Sequence, residues 1–333
     1  MEKIKLLFIG CGNMGSRFAR IASQMGDAEV AAVCDVTAER VEKLGTELKV
    51  KTYTDFRKMM DAHKDAKGAV ITTPEQLHRE STVEALNRGL NVFVEKPVAD
   101  TLEDASAILA AQKKSGKFLL VDHTLRFDAR YLQARDAVAR GDIGDVVNAY
   151  GRRDVPVALG NYAASRKTNL PMFLGVHEAD ILSWITGQKV KKVFAKEVTH
   201  KVMKDNHDCV VAILTLEKGA VAVCETAWQS PATQGRPQNL CLQVRGTEGT
   251  VDVSTYEQGL GIFNAKGAAH PDTSAMPSIY GRTLGMWPYA IMHFTDCIRL
   301  NKAPAMDPAD AYHAVEVALA MMESLKTGRE VSL

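Results

Sequence analysis

The first twenty-five residues constrain the fold more than any other stretch of the chain. An apolar run, Ile4–Ile9, passes straight into Gly10-Cys11-Gly12-Asn13-Met14-Gly15, and that loop opens into an amphipathic stretch at residues 17–25. Strand, glycine loop and helix in direct succession, at the first βα turn, are the setting in which G-x-G-x-x-G cradles a pyrophosphate. The missing side chains let the backbone approach the phosphates, and the helix N-terminus meets them with free N–H groups and its dipole. A tight turn without a ligand is the other use of such glycines. Twenty residues past Gly15, Asp35 closes the second apolar run, where a carboxylate accepts hydrogen bonds from an adenosine ribose. Its alternative is a helix N-cap, although Thr37 is available for that task.

The alternation continues. Apolar runs at residues 29–34, 69–71, 91–95 and 118–121 are separated by amphipathic stretches at residues 38–48, 75–88 and 102–115. Strand and helix in turn, with continuous apolar strands, predict a doubly wound parallel α/β sheet over residues 1–123. Beyond residue 123 a helix at 129–140 leads into longer alternating runs joined by short turns such as Glu217-Lys218-Gly219. These predict a second, α+β domain over residues 124–333, with a large, mostly antiparallel open sheet. One helix interrupts it near residues 174–185, two more are expected at 289–300 and 308–326, and residues 267–285 read as a long loop.

Composition excludes several classes of function. Lys plus Arg number 41 against 40 Asp plus Glu, a net charge of +1, which gives no electrostatic case for binding nucleic acid or a membrane surface. The six cysteines include no C-x-x-C pair and are expected to be small buried hydrophobes in a reducing compartment. Nowhere is there an apolar run of the ~18 residues that a membrane span needs. A soluble cytoplasmic protein is the expectation. His63, His200, His207, His270 and His313 show no ligand-like pairing, and no metal site is expected.

Two strand ends carry further chemistry. Thr72-Thr73-Pro74 and Glu95-Lys96-Pro97 fall at the carboxyl edge of the predicted parallel sheet, where ligands sit, and are expected to flank the nicotinamide half of a dinucleotide. Lys96 projects from its strand end, stiffened by Pro97; a solvated lysine before a turn is the alternative on residue type alone.

In order along the chain stand G-x-G-x-x-G, an acidic end to the second strand, Thr73-Pro74-x-x-x-His78, Glu95-Lys96-Pro97 and Gly175-Val176-His177-Glu178-Ala179-Asp180. Together they resemble the glucose–fructose oxidoreductase / inositol dehydrogenase / rhizopine-catabolism (Gfo/Idh/MocA) family of NAD(P)-dependent enzymes, over essentially the whole chain. The resemblance implies a Rossmann domain followed by a substrate-binding and oligomerising domain, oxidation of a secondary alcohol on a sugar, cyclitol or sugar derivative, and a homodimer or homotetramer. It places Lys96 beside the nicotinamide and the reacting oxygen, and His177 on a second-domain helix. A hydroxyl must lose its proton as its carbon loses hydride, so a group titrating near neutrality has to touch that oxygen. Histidine starts at about 6.5, and a lysine cation favours the developing alkoxide.

Many inositol dehydrogenase-like members carry an aspartate four residues before this histidine. Here that position is Phe173, which makes one wall of the pocket apolar and sets plain myo-inositol aside as the expected substrate. Asp180 shares a helix face with His177 and is a candidate to orient the imidazole or a substrate hydroxyl; a structural salt bridge is an equal reading. His123 and Arg126, after the sixth strand, and Arg153 and Asp154, at a second-domain strand end, are candidates for substrate contact. For Arg126 the alternative is a salt bridge to Asp122 or Asp128. The loop at residues 161–169 is a candidate cover for the site, and a second His-x-x-Asp, at His293 and Asp296, reads as plain helix surface. The cofactor set is Gly10, Gly12, Asn13, Met14, Gly15, Asp35, Thr72, Thr73, Pro74, His78, Glu95 and Lys96, with NAD preferred to NADP because Asp35 repels a 2′-phosphate. Two rivals use the same fold: a glycoside hydrolase that recycles bound NAD, and a non-catalytic NAD- or ligand-sensing regulator.

Overall fold

The computed structural model describes residues 3–204, 206–231, 238–254, 260–264 and 267–333. The chain forms two compact units, Met1–Thr124 with Ser278–Tyr312, and Leu125–Pro277 with His313–Leu333.

The first unit holds β1 (Ile4–Ile9), α1 (Asn13–Ser23), β2 (Ala28–Cys34), α2 (Ala38–Leu48), β3 (Lys51–Tyr53), α3 (Phe56–Ala62), β4 (Gly68–Ile71), α4 (His78–Asn87), β5 (Asn91–Val94), α5 (Leu102–Ser115) and β6 (Leu119–Val121). Its six strands lie in the order β3-β2-β1-β4-β5-β6, all parallel, as the alternation predicts. Only β3 escapes the sequence, since three residues, Lys-Thr-Tyr, show no apolar period. Helix ends follow local chemistry: the Thr101 hydroxyl accepts the Asp104 N–H at 3.1 Å to start α5, and the Asp55 carboxylate accepts from Arg57 and Lys58 to start α3.

The core of this unit includes a chain of aromatic rings, Phe18 edge-on to Phe93 at 5.2 Å and Phe93 to Phe294 at 5.8 Å. Phe294 lies in the helix Met286–Leu300. The expected division at residue 123 leaves Ser278–Tyr312 with the second domain, whereas these residues pack with the first unit. A helix that returns after so long an interval carries no periodic signal of the sheet it covers.

The second unit holds α6 (Ala129–Arg140), β7 (Val146–Pro156), α7 (Val157–Ser165), α8 (Val176–Thr186), β8 (Val190–Thr199), β9 (His207–Leu216), β10 (Val221–Ser230), β11 (Asn239–Gly246) and β12 (Thr250–Ser254). The chain then gives α9, the helix Met286–Leu300 of the first unit, and α10 (Pro308–Thr327). The second sheet runs β12-β11-β7-β10-β9-β8 and ends on the strand Val331–Ser332. It is antiparallel except between β7 and β10. His313 fastens α10 to this sheet by accepting the Val190 N–H at 3.0 Å.

Two expectations need correction. Residues 161–169, expected as a loop, begin inside α7, where Gly160 lies so close to the Trp228 indole that a Cβ would stand 2.8 Å from its Cγ. The expected loop at residues 267–285 contains the short strands Gly267–Ala269, Ser278–Ile279 and Arg282–Thr283, each too brief to show a period. Among the described residues no helix is long and apolar enough to cross a membrane, and no group of three or more His, Cys, Asp or Glu is placed to hold a metal ion.

Candidate active site

Gly10 takes φ +98, a conformation that L side chains rarely adopt, and a Cβ there would stand 2.7 Å from the Thr72 carbonyl carbon. At Gly15 a Cβ would fall 1.8 Å from the Gly10 oxygen, so α1 can approach β1 only without a side chain. Gly12 is different. A Cβ there would meet nothing within 4 Å, and Gly12 is the N-cap of α1 with no side-chain cap. Open space beside uncapped helix N–H groups fits a dinucleotide pyrophosphate. Asn13 and Met14 form the first turn.

Asp35 braces this loop. Its carboxylate accepts the Cys11 N–H at 2.7 Å and the Thr37 N–H at 2.9 Å. Thr37 is the N-cap residue of α2 but makes no side-chain cap. From β4, the Thr72 hydroxyl donates to Gly10 O at 2.9 Å, tying the fourth strand end to the glycine loop. The Thr73 hydroxyl is buried and has no partner among the described residues; Pro74 is exposed.

His78 joins this strand end to the next. Its Nδ1 lies 2.9 Å from Pro97 O and its Nε2 2.9 Å from Thr73 O, so one buried ring spans the loops after β4 and β5. Burial holds its pKa below the usual imidazole value, against the pull of those two carbonyls. Glu95 is buried and Lys96, half-buried, follows it into a cis peptide bond with Pro97.

In the second unit, His177 is half-buried in the first turn of α8. Asp180 and Trp184, three and seven residues on, fall on the same side of the helix. Phe173, one turn earlier in the π-helical segment Pro171–Gly175, packs its ring on Trp228 at 5.6 Å. Asp180 is bound to Arg126, which donates through Nε at 3.0 Å and Nη2 at 2.5 Å, with both side chains buried. The Arg126 guanidinium also lies 5.3 Å from the centre of the Trp184 ring. Arg126 therefore does form a salt bridge, with Asp180 as its partner. His123 is 2% exposed.

Arg153 and Asp154 do not share a side of the sheet. Successive strand residues face opposite ways: Arg153 is buried and donates to Glu178 of α8 at 2.7 Å, while Asp154 accepts the Gln229 N–H at 2.8 Å. Burial pushes the Glu178 carboxyl up, and Arg153 opposes it. Gly151 accommodates this pair, since a Cβ there would stand 2.8 Å from Glu178 Oε2. Glu178 was legible as a neighbour of His177 but not as a partner for Arg153; spacing along the chain gives no signal for a contact between a strand and a distant helix. His293 accepts the Ala305 N–H at 2.9 Å, bridging the turn after α9.

A parallel sheet, a glycine cradle at its first turn and a polar strand edge beside it define a dinucleotide-binding protein of the Rossmann class. Residues 4–123 match the model of the oxidoreductase family with an NAD-binding Rossmann fold, and residues 131–252 match the GFO/IDH/MocA C-terminal domain. The chain belongs to this GFO/IDH/MocA family of oxidoreductases. It is 25% identical to the scyllo-inositol 2-dehydrogenase (NAD(+)) of Bacillus subtilis over 100% of this chain and 97% of that protein. It is 26% identical to the D-apiose dehydrogenase of Paraburkholderia graminis over 100% of this chain and 90% of that one. The crystal structure of myo-inositol 2-dehydrogenase from Lactobacillus plantarum shares the fold, with a TM-score of 0.86 at 22% identity over the whole of both chains.

Proposed function

We propose that the protein oxidises a secondary alcohol of a sugar, cyclitol or sugar derivative with NAD, using Lys96 and His177 as catalytic residues. Bound NAD supplies the hydride acceptor. Lys96 stabilises the alkoxide that develops on the substrate oxygen, and His177 takes the hydroxyl proton. Asp180, fixed by Arg126, positions the side of α8 that carries His177. The observation that carries this reading is the bracing of the strand ends. Thr72 ties β4 to the glycine loop and His78 ties β4 to the Lys96-Pro97 turn, so Lys96 is held at the sheet edge next to the cradle. The unpartnered Thr73 hydroxyl offers a polar contact there. With Phe173 packed at a tilt against Trp228, the preferred ring is a derivative with an apolar or altered position. Incubation with a panel of sugars, cyclitols and sugar acids should give NADH in stoichiometric amounts with one group of them; turnover without NADH accumulation would mark an NAD-recycling hydrolase instead.

NAD is the preferred cofactor in this reading. Each Asp35 oxygen keeps a lone pair after accepting its backbone N–H, available to ribose hydroxyls and repelling a 2′-phosphate, and the neighbouring Val36 is exposed and uncharged. The kcat/KM for NAD is expected to exceed that for NADP; the reverse order rules the assignment out. Asp35→Ala should narrow the gap and also weaken NAD binding, because the Cys11 and Thr37 N–H groups lose their acceptor.

The second unit is the expected oligomerisation domain. One side of its sheet packs on helices, whereas Val211, Ile213 and Val221 are exposed on the other, beside Val223 and the hydrogen-bonded Tyr150 and Glu225. Burying apolar area of that kind is worth ~25 cal/mol per Å². A dimer or tetramer is expected by light scattering at micromolar concentration, shifting towards monomer in Ile213→Lys/Val223→Lys. A monomeric wild-type mass would dispose of the idea.

A further inference from the structure

Glu95 and Asp122 end adjacent parallel strands. Val94 pairs in register with Val121, so the next residues stand side by side, and the Asp122 N–H donates to Val94 O at 2.8 Å. Both side chains are buried, 8% and 2% exposed, and a hydrogen bond joins their carboxyls. Two ionised carboxylates have no donor between them; a hydrogen bond requires that one carry a proton. Asp122 is that one. It is the more deeply buried of the two, and burial penalises a charge there more. Burial first, then the Glu95 charge, push the Asp122 carboxyl well above the usual carboxylate range, while Lys96 pulls it down.

The charged and titratable groups around the pair come from several elements. Arg17 of α1 feels the Glu95 charge, Lys96 follows Glu95 in the chain and His123 follows Asp122, and Glu75 and His78 are buried in the neighbouring turn. We propose that Glu95 and Asp122 hold a single proton between them, and that the one negative charge left on Glu95 is a positioning device for the Lys96 ammonium. The neutral Asp122 donates to Glu95 and fixes the rotamer that carries the charge. In this proposal the Glu95 charge favours the protonated form of Lys96 beside it. This deepens the role proposed above for Lys96 and rests on it; the proton count of the pair does not.

Three measurements test it. The infrared spectrum of the cofactor-free protein at neutral pH should show a protonated carboxylic C=O band that shifts in heavy water and is lost in Asp122→Asn; its absence in the wild type overturns the shared proton. Unfolding in urea gives the count independently. Asp122 keeps its proton when folded and, with an unfolded pKa of about 3.9, loses it when unfolded. Rising pH therefore favours unfolding of the wild type, and above the unfolded pKa its folding constant should fall about tenfold per pH unit relative to Asp122→Asn for as long as folded Asp122 keeps its proton. Parallel curves refute the proposal. In the holoenzyme, the alkaline limb of kcat/KM should stay in place in Asp122→Asn, which keeps the Glu95 charge. It should drop by about one pH unit or more in Glu95→Gln/Asp122→Asn, which removes that charge. A limb that moves equally in both variants, or in neither, overturns the positioning role. If the infrared and urea results hold while the wild type has no alkaline limb, the role of Lys96 has failed and not the shared proton.

Discussion

Lys96→Ala and His177→Ala are each expected to lower kcat by ~10²–10⁴-fold, the usual loss for one positioned proton-transfer or charge-stabilising group, or about 3–5 kcal/mol of barrier. NAD affinity by fluorescence titration should remain within a few-fold, because the cradle at Gly10, Gly12 and Gly15 is built without either residue. The pH profiles should differ. A base that works as the neutral imidazole gives an acid limb to the profile, and His177→Ala should erase that limb. Lys96→Ala should keep the acid limb and lose the alkaline one. Near-normal turnover of His177→Ala across the pH range would place the base elsewhere.

The second large effect belongs to the buried pair of Arg126 and Asp180. Removing one member leaves the other as an uncompensated charge, and Arg126→Ala or Asp180→Ala should destabilise the protein by ~3–5 kcal/mol. Arg126→Met/Asp180→Leu, which removes both charges and keeps volume, should lose far less, so the two changes will be strongly non-additive in a double-mutant cycle. Asp180→Asn should fold and reproduce part of the His177→Ala defect in kcat, since it loosens the face of α8 that carries the imidazole. If the single variants unfold at the wild-type urea concentration, the pair has no such weight.

The parallel sheet was legible because its signal is local. Ile4–Ile9 and the glycine loop lie within a dozen residues of one another, and every later strand except β3 repeats the same short apolar run. The second sheet was legible as strands but not in its one parallel pairing, β7 with β10, because register partners more than seventy positions apart, such as Val223 with Tyr150 and Glu225 with Arg152, leave no mark in either strand alone. The candidate site divides the same way. Gly10, Asp35, Lys96 and His177 stand in motifs. What holds them does not: Arg126 to Asp180, Arg153 to Glu178 and Glu95 to Asp122 are contacts between distant elements, and the sequence singles out several of these residues without pairing them with these partners. Asp122 was weighed just as a partner for Arg126, and its real neighbour is set by strand register.

The Phe93 ring packs between Phe18 and Phe294, and this imposes a timetable on biosynthesis. At ~5–20 residues per second, the roughly two hundred residues that separate Phe93 from Phe294 take about 10–40 s to leave the ribosome. For most of that interval, once β6 has followed, the nascent Rossmann sheet is complete in its strands yet bare on the side that α9 will cover, around Phe93 and Gly68. A translation product released at Thr124 would keep that apolar side exposed indefinitely, a substrate for chaperones and for aggregation, and the same gene fragment supplied with Ser278–Tyr312 as a separate peptide should be rescued by complementation.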